Sequence, residues 1–184
     1  MIFSLEMGRN EITMRMLSAE AKVPLHHMRS GSMTDQDWER IARATGSVSS
    51  TPLFIDDSPN MTMMEIRAKC RRLKRRHGLG LVVVDYLQLM HGSGGENRQQ
   101  EIAIISRSLK SLARELEVPV IGVSQLNRSL EQREDKRPRL GDLRESGAIE
   151  QDADVVLFIY RHEYYNPEAI ETKGIAEVAI AKHR

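Results

Sequence analysis

An α/β domain with a buried, mainly parallel sheet is what this 184-residue sequence predicts. Runs rich in Val and Ile alternate with segments of helical period, the pattern of a sheet covered by helices on its faces. Leu81-Val82-Val83-Val84-Asp85 sets an acid at the carboxyl end of an aliphatic run, where parallel sheets place their ligand crevice. With 40% hydrophobic residues, the chain can bury one substantial core, and a single domain over 1–184 is expected.

The strand candidates, in order, are Met1–Leu5, Leu53–Asp56, Leu81–Asp85, Val118–Ser124, Asp154–Tyr160 and Ala176–Ala181. Thr34 and Asp37 open a helix running through Ala44 that carries the only tryptophan, Trp38. Thr62 followed by Glu65 has the form of a capping box, after which Ile66, Cys70 and Leu73 mark the apolar side of a helix ending near Gly78. Ile102, Ile105, Leu109, Leu112 and Leu116 recur every three or four residues, the spacing of one buried helix face. His91–Asn97 and Asn127–Gly141 read as loops. The second is long for a simple connection, and loops of that length are usually functional or mobile.

Lys plus Arg total 27 against 26 Asp plus Glu, so a net charge of +1 gives no general attraction to nucleic acid, and any DNA contact must come from local groups. No apolar run approaches the roughly 20 residues that a bilayer span needs. A single cysteine forms no internal disulfide, and the first residues show no secretory signal, so the cytoplasm is the natural compartment.

Three polar residues stand at the ends of three strand candidates. Asp85 has the form of an acid that holds Mg²⁺ bridging nucleotide phosphates, because a hard cation needs anionic oxygen; an ordinary acid opening a loop has the same form. Glu6, after Phe3-Ser4-Leu5, is suitably placed to orient or deprotonate an attacking water, or simply to meet a helix N-terminus. Gln125 could sense a γ-phosphate or serve as a turn residue. Only if their strands are neighbours do the three converge as a hydrolysis site requires.

Phe3-Ser4-Leu5-Glu6-Met7, Val83-Val84-Asp85-Tyr86-Leu87-Gln88-Leu89, Ser124-Gln125-Leu126-Asn127-Arg128, Asp142-Leu143-Arg144-Glu145-Ser146-Gly147 and Ile149-Glu150-Gln151-Asp152-Ala153-Asp154 stand in the order seen in DnaB-type replicative DNA helicases, which the sequence resembles along essentially its whole length. The resemblance implies a RecA-like three-layer domain with a mainly parallel central sheet flanked by helices, truncated at both ends. It implies Glu6 as catalytic glutamate, Asp85 as the Mg²⁺ ligand and Gln125 as γ-phosphate sensor. Arg144, Glu145 and Gly147 resemble the loop that follows the backbone of single-stranded DNA, with Gly147 expected to supply a conformation that a side chain would oppose. Lys182-His183-Arg184 resembles an element reaching into the neighbouring subunit's nucleotide, with Arg184 as arginine finger and Lys182 assisting. ATP and Mg²⁺ are the implied cofactors. Single-stranded DNA, a homo-hexamer, primase and a helicase loader are the implied partners.

No Gly-x-x-x-x-Gly-Lys-Ser/Thr loop occurs in the sequence, and Gly92-Ser93-Gly94-Gly95 has no following lysine. In the family that loop, a collar domain and a linker helix precede the position of Met1, so the isolated chain is expected to lack ATPase activity. A RadA-type or clock-type ATPase would share the strand-end acids, although Asp142–Gly147 with Ile149–Asp154 argues for the helicase. A non-catalytic assembly or binding fragment is the other alternative, and a Rossmann protein is disfavoured because no Gly-x-Gly-x-x-Gly follows the first strand.

The basic run Arg67, Lys69, Arg71, Arg72, Lys74, Arg75, Arg76 reads as a solvated or intersubunit helix face rather than a nucleic-acid patch. Met14, Met16, Met61, Met63 and Met64 read as core filling. The histidines show no metal-ligand spacing. Tyr160, Tyr164 and Tyr165 could stack on bases or form a surface loop.

Overall fold

The computed structural model describes residues 1–91 and 97–184, with the backbone but not the side chains of 144–146; the expected loop His91–Asn97 therefore lies largely outside the described residues. All six expected strands form. Four of them, β1 (Ile2–Ser4), β2 (Ile55–Asp56), β3 (Val82–Asp85) and β4 (Val120–Gly122), make one parallel sheet in the order β2-β1-β3-β4. The last two, β5 (Val155–Tyr160) and β6 (Glu177–His183), pair antiparallel as a separate sheet with an irregularity between Val156 and Leu157.

Helices α1 (Arg9–Ala21), α2 (Leu25–Ser30) and α3 (Asp35–Ser50) lie between β1 and β2, α4 (Met63–His77) between β2 and β3, and α5 (Arg98–Leu116) between β3 and β4. Short helices α6 (Gly147–Asp152) and α7 (His162–Tyr165) flank β5. The core lies where α4 and α5 cover the parallel sheet: Phe3, Val82 and Val84 of the strands meet Ile66 and Cys70 of α4 and Ile102, Ile105, Leu109, Leu112 and Leu116 of α5. Every expected apolar position of α5 is buried, because its helical spacing puts those residues on one stripe.

The expected capping box at Thr62 and Glu65 is present, and Thr34 and Asp37, expected to open a helix, form a second. Thr34 accepts from the Asp37 amide while Asp37 accepts from the Thr34 amide, and Thr62 and Glu65 exchange the same pair of bonds. The α3 helix continues past Ala44 through the weak helix formers Gly46 to Ser50. The Ser50 and Thr51 hydroxyls donate to the Ser47 carbonyl, and the helix stops before Pro52, which disfavours helical backbone in the residue ahead of it.

The basic face of α4 is largely occupied within the chain. Arg71 and Arg67 meet Glu115 of α5, Lys69 meets Asp56 at 2.6 Å, and Lys74 donates to the Leu116 carbonyl. This face thus docks α4 onto α5 and β2, while Arg72, Arg75 and Arg76 stay exposed. Met61 is buried and Met63 packs on the core, but Met64 is 81% exposed. Cys70 is fully buried, and desolvation pushes its thiol up to about 11.

Asn127–Gly141 is ordered by polar contacts rather than being a slack connection. It contains a 3-10 turn at Arg128–Gln132 and the beginning of another at Leu140–Ser146, and it is tied by Arg139–Asp135 (2.8 Å) and Arg137–Glu177 (2.8 Å). The Arg137 guanidinium also lies 5.0 Å from the ring centre of Tyr160, which stacks on Tyr165. Burial of Tyr160 removes it from any role in stacking on bases, whereas Tyr164 is exposed.

Candidate active site

Because β1, β3 and β4 are adjacent and parallel, their carboxyl ends fall on one edge of the sheet. Glu6, Asp85 and Gln125 follow or end those three strands, so the sequence-predicted trio is brought to that edge. A strand spacing near 4.8 Å puts the outer two strands about 10 Å apart.

Each member is placed by a different local device. The buried Ser4 hydroxyl donates to the Met7 carbonyl (2.7 Å) and accepts from the Met7 amide (3.3 Å), closing the turn that presents Glu6. From the far side, the Arg9 amide donates to Asp57 (2.8 Å), a bond that also holds the Asp57 carboxyl below its ordinary value. The Leu5 amide donates to the Asp85 carbonyl (2.7 Å), tying the turn to the end of β3. Glu6 is exposed and Asp85 half-buried, and neither carboxylate has an ion pair among the described residues.

Beyond β4, the Val123 amide donates to the Val84 carbonyl and the Leu87 amide to the Val123 carbonyl, both at 2.9 Å. Leu87 closes over the strand here, and a Cβ at Gly122 would stand 3.2 Å from its side chain, so glycine permits the approach. The Gln125 side chain is left exposed while its main chain is held by the side-chain amide of Gln88, which donates to the Gln125 carbonyl (3.2 Å) and accepts from the Gln125 amide (3.2 Å).

From Gln125 the chain leads to the expected DNA loop. The Asn127 amide donates to the Asp142 carbonyl (3.2 Å), and the buried Asp142 carboxylate accepts from the Arg139 amide (2.7 Å) and the Arg133 guanidinium (2.8 Å). Arg144 and Glu145 lie in the backbone of the 3-10 turn Leu140–Ser146, and their side chains fall outside the described residues. Gly147 corrects an expectation. Its φ of −54° and ψ of −24° are ordinary right-handed helical values, and a Cβ there would meet nothing within 4 Å. A right-handed 3-10 turn runs straight into α6, so no conformation special to glycine is needed.

Lys182 and Arg184 lie at the end of β6, on a different sheet from the trio. Lys182 donates to the Glu150 and Gln151 carbonyls at the end of α6, so its ammonium is engaged by its own chain. The Arg184 side chain is exposed, and its main-chain amide donates to the Asp154 carbonyl (3.0 Å).

Among the described residues no group of three His, Cys, Asp or Glu could hold a metal. An unpaired strand-end carboxylate such as Asp85 instead suits Mg²⁺, which commonly takes one or two carboxylates plus phosphates and water. Ser4, Gln88 and Asp142 are the site residues that the sequence reading missed. Each acts through hydrogen bonds to main chain, for which the sequence carries no spacing signal.

The sequence matches the DnaB-like helicase C terminal domain over residues 1–184. The chain belongs to that family. It is 57% identical over 185 residues to replicative DNA helicase DnaB of Geobacillus stearothermophilus, covering 100% of this chain and 40% of that protein. With DnaB of Leifsonia xyli subsp. xyli (strain CTCB07) the identity is 61% over 186 residues, covering 99% of this chain and 40% of the relative. The chain thus spans about two fifths of the length of these relatives. Among solved structures, one described as an ATPase domain superposes with a TM-score of 0.93 at 42% identity, covering 100% of this chain and 66% of that one. A DnaB-like replicative helicase, described together with its interactions with primase, gives 0.94 at 42% identity, with coverage of 100% and 45%. The parallel sheet flanked by helices in this DnaB-like domain is therefore the RecA-like fold.

Proposed function

We propose that this chain is part of the motor of a replicative DNA helicase, coupling ATP hydrolysis to translocation on single-stranded DNA and duplex unwinding in a homo-hexameric ring. The observation that carries the reading is the adjacency of β1, β3 and β4, which sets Glu6, Asp85 and Gln125 along one sheet edge. In this role Glu6 takes a proton from the attacking water, Asp85 would hold Mg²⁺, and Gln125 bonds the γ-phosphate or its water through its exposed side-chain amide. Magnesium bound with ATP neutralises charge on the phosphates.

Arg144, Glu145 and Gly147 belong to the segment assigned to the DNA backbone, and Arg184 is assigned to the nucleotide of the next subunit, where it would meet charge that develops on the phosphoryl group. For Lys182 to assist there, it must release the Glu150 and Gln151 carbonyls. Primase and a loader are the expected protein partners, the first supported by the primase interaction of a structural neighbour. The cytoplasm is the compartment in which such a motor meets its DNA. Among the described residues, no helix is long and apolar enough to cross a membrane.

Turnover tests the proposal directly. The chain alone is expected to show no ATPase activity, since it has no lysine-bearing phosphate loop. Joined to the phosphate-loop segment of the family, it should hydrolyse ATP in a DNA-stimulated manner that Asp85→Ala abolishes. Robust turnover untouched by Asp85→Ala, or none that DNA stimulates, would overturn the reading.

A further inference from the structure

The side-chain amide of Gln88 uses three of its bonding positions on one short segment. Nε2 donates to the Ser124 hydroxyl (2.9 Å) and to the Gln125 carbonyl (3.2 Å), while Oε1 accepts from the Gln125 amide (3.2 Å). Both hydrogens of Nε2 and a lone pair of Oε1 are thereby engaged. Exchanging N–H and C=O bonds with one residue is what a neighbouring strand does in an antiparallel ladder. Here a side chain supplies that rung just past the point where β4 ends at Gly122.

Gln88 is itself held. Its carbonyl accepts from Arg98 in the first turn of α5 (2.6 Å), and Arg98 also bonds the Met90 carbonyl (3.1 Å) and Glu101. The Asp85–Leu89 segment, the start of α5 and the Gln125 main chain therefore form one frame. A cavity of about 110 Å³ beside it is lined by Gln88, Arg98, Gln125, Asn127 and Asp142.

We infer that Gln88 is a positioning residue for Gln125, fixing the main chain of the sensor so that a pull on its exposed side chain passes through Asn127 to Asp142 and the loop beyond. The physical reason lies in the compliance of an exposed strand end. An unanchored main chain would absorb a displacement of the Gln125 amide locally, whereas a main chain held on both its N–H and its C=O rotates as a unit. The next anchored point along the chain is the bond from the Asn127 amide to the Asp142 carbonyl (3.2 Å), at the base of the Arg144–Gly147 loop. Asp142 in turn is fixed by Arg133 and the Arg139 amide, so movement at that point shifts the loop rather than a single side chain.

This inference rests on the reading of Gln125 as sensor, and the experiment separates the two. In the complete hexameric helicase carrying this chain, steady-state ATPase is measured with and without a dT oligonucleotide for Gln88→Ala, Gln88→Glu and Gln125→Ala. Gln88→Glu retains an acceptor for the Gln125 amide but loses both donated bonds and sets a carboxylate against the Gln125 carbonyl. Both Gln88 variants should lower the DNA-stimulated kcat on the order of tenfold, the effect of about one net hydrogen-bonded pair, while KM for ATP and hexamer assembly remain those of the parent. Amide exchange at Gln125, followed in the isolated chain, should quicken in Gln88→Ala. Unchanged DNA stimulation in both Gln88 variants overturns the inference. So does a rise in KM or a loss of hexamers that accounts for the whole deficit, since a purely structural role would act in that way. If Gln125→Ala keeps full DNA stimulation, the sensor reading itself falls, whatever the Gln88 variants do.

Discussion

Replacing Ser4 by Ala removes one hydroxyl from a buried place and with it both bonds that close the Ser4–Met7 turn containing Glu6. Such a loss costs about 1 kcal/mol of stability. If Glu6 has the proposed role, the larger expected effect is on turnover in the phosphate-loop-bearing protein, because the carboxylate would then sample more orientations. Urea unfolding and steady-state kinetics check this together. A Ser4→Ala protein destabilised by that amount but with the parent's kcat would show that the turn does not position Glu6. At this scale legibility divides by type of bond. Asp85 and Glu6 stand out in the sequence because a charged residue ends an aliphatic run. Ser4, Gln88 and Asp142 do not, because each bonds main-chain atoms, which are the same at every position and leave no mark in the sequence. Gly147 misled for the same reason, since its identity says nothing of the φ it adopts.

The elements were the most readable level. Strand runs showed by their aliphatic content, α5 by its spacing, and α3 and α4 by capping boxes whose bonds are local. The least visible helices were α1 and α2. Ile12 and Ala21 are the only buried residues of α1 and none is buried in α2, so neither has a strong apolar stripe to announce it. The α3 cap yields a prediction. Thr34→Ala should cost about 1 kcal/mol, read from the urea midpoint. The Thr34 amide and hydroxyl, with Arg40, hold the Asp37 carboxyl below its ordinary value. A lowered folded value means that this contribution is complete above the ordinary carboxylate range and fades as pH falls through the folded value. Stability measured against pH should therefore drop less steeply on the acid side in Asp37→Asn than in the parent. Equal slopes would show that Asp37 titrates alike in the folded and unfolded chain.

At the level of the whole molecule, Arg184 follows β6 of the antiparallel sheet and the trio lies on the parallel one; the proposed function assigns Arg184 to the next subunit. In complete rings, Arg184→Ala should abolish most hydrolysis and leave nucleotide binding largely intact, with a loss on the order of 10³ or more in turnover. Mixing it with Glu6→Ala protein should restore part of the activity, because some interfaces then pair an intact Glu6 with an intact Arg184. Demonstrably mixed rings with no recovery would place Arg184 in its own subunit's chemistry or require every interface to be whole. The separation of β5 and β6 from the parallel sheet was not legible in the sequence, since an aliphatic run shows that a strand exists but not which strand it joins.

The sealed position of Cys70 gives this protein a built-in clock. Thiol reagents are attacked by the thiolate, and the sequence's only sulfhydryl is both buried in the core beneath α4 and kept protonated at neutral pH. Modification must therefore wait until α4 lifts away, and its rate at saturating reagent equals the rate of that opening. The same silence leaves these 184 residues, as a folded chain, free of background when a single cysteine is introduced elsewhere in them to carry a dye or spin label.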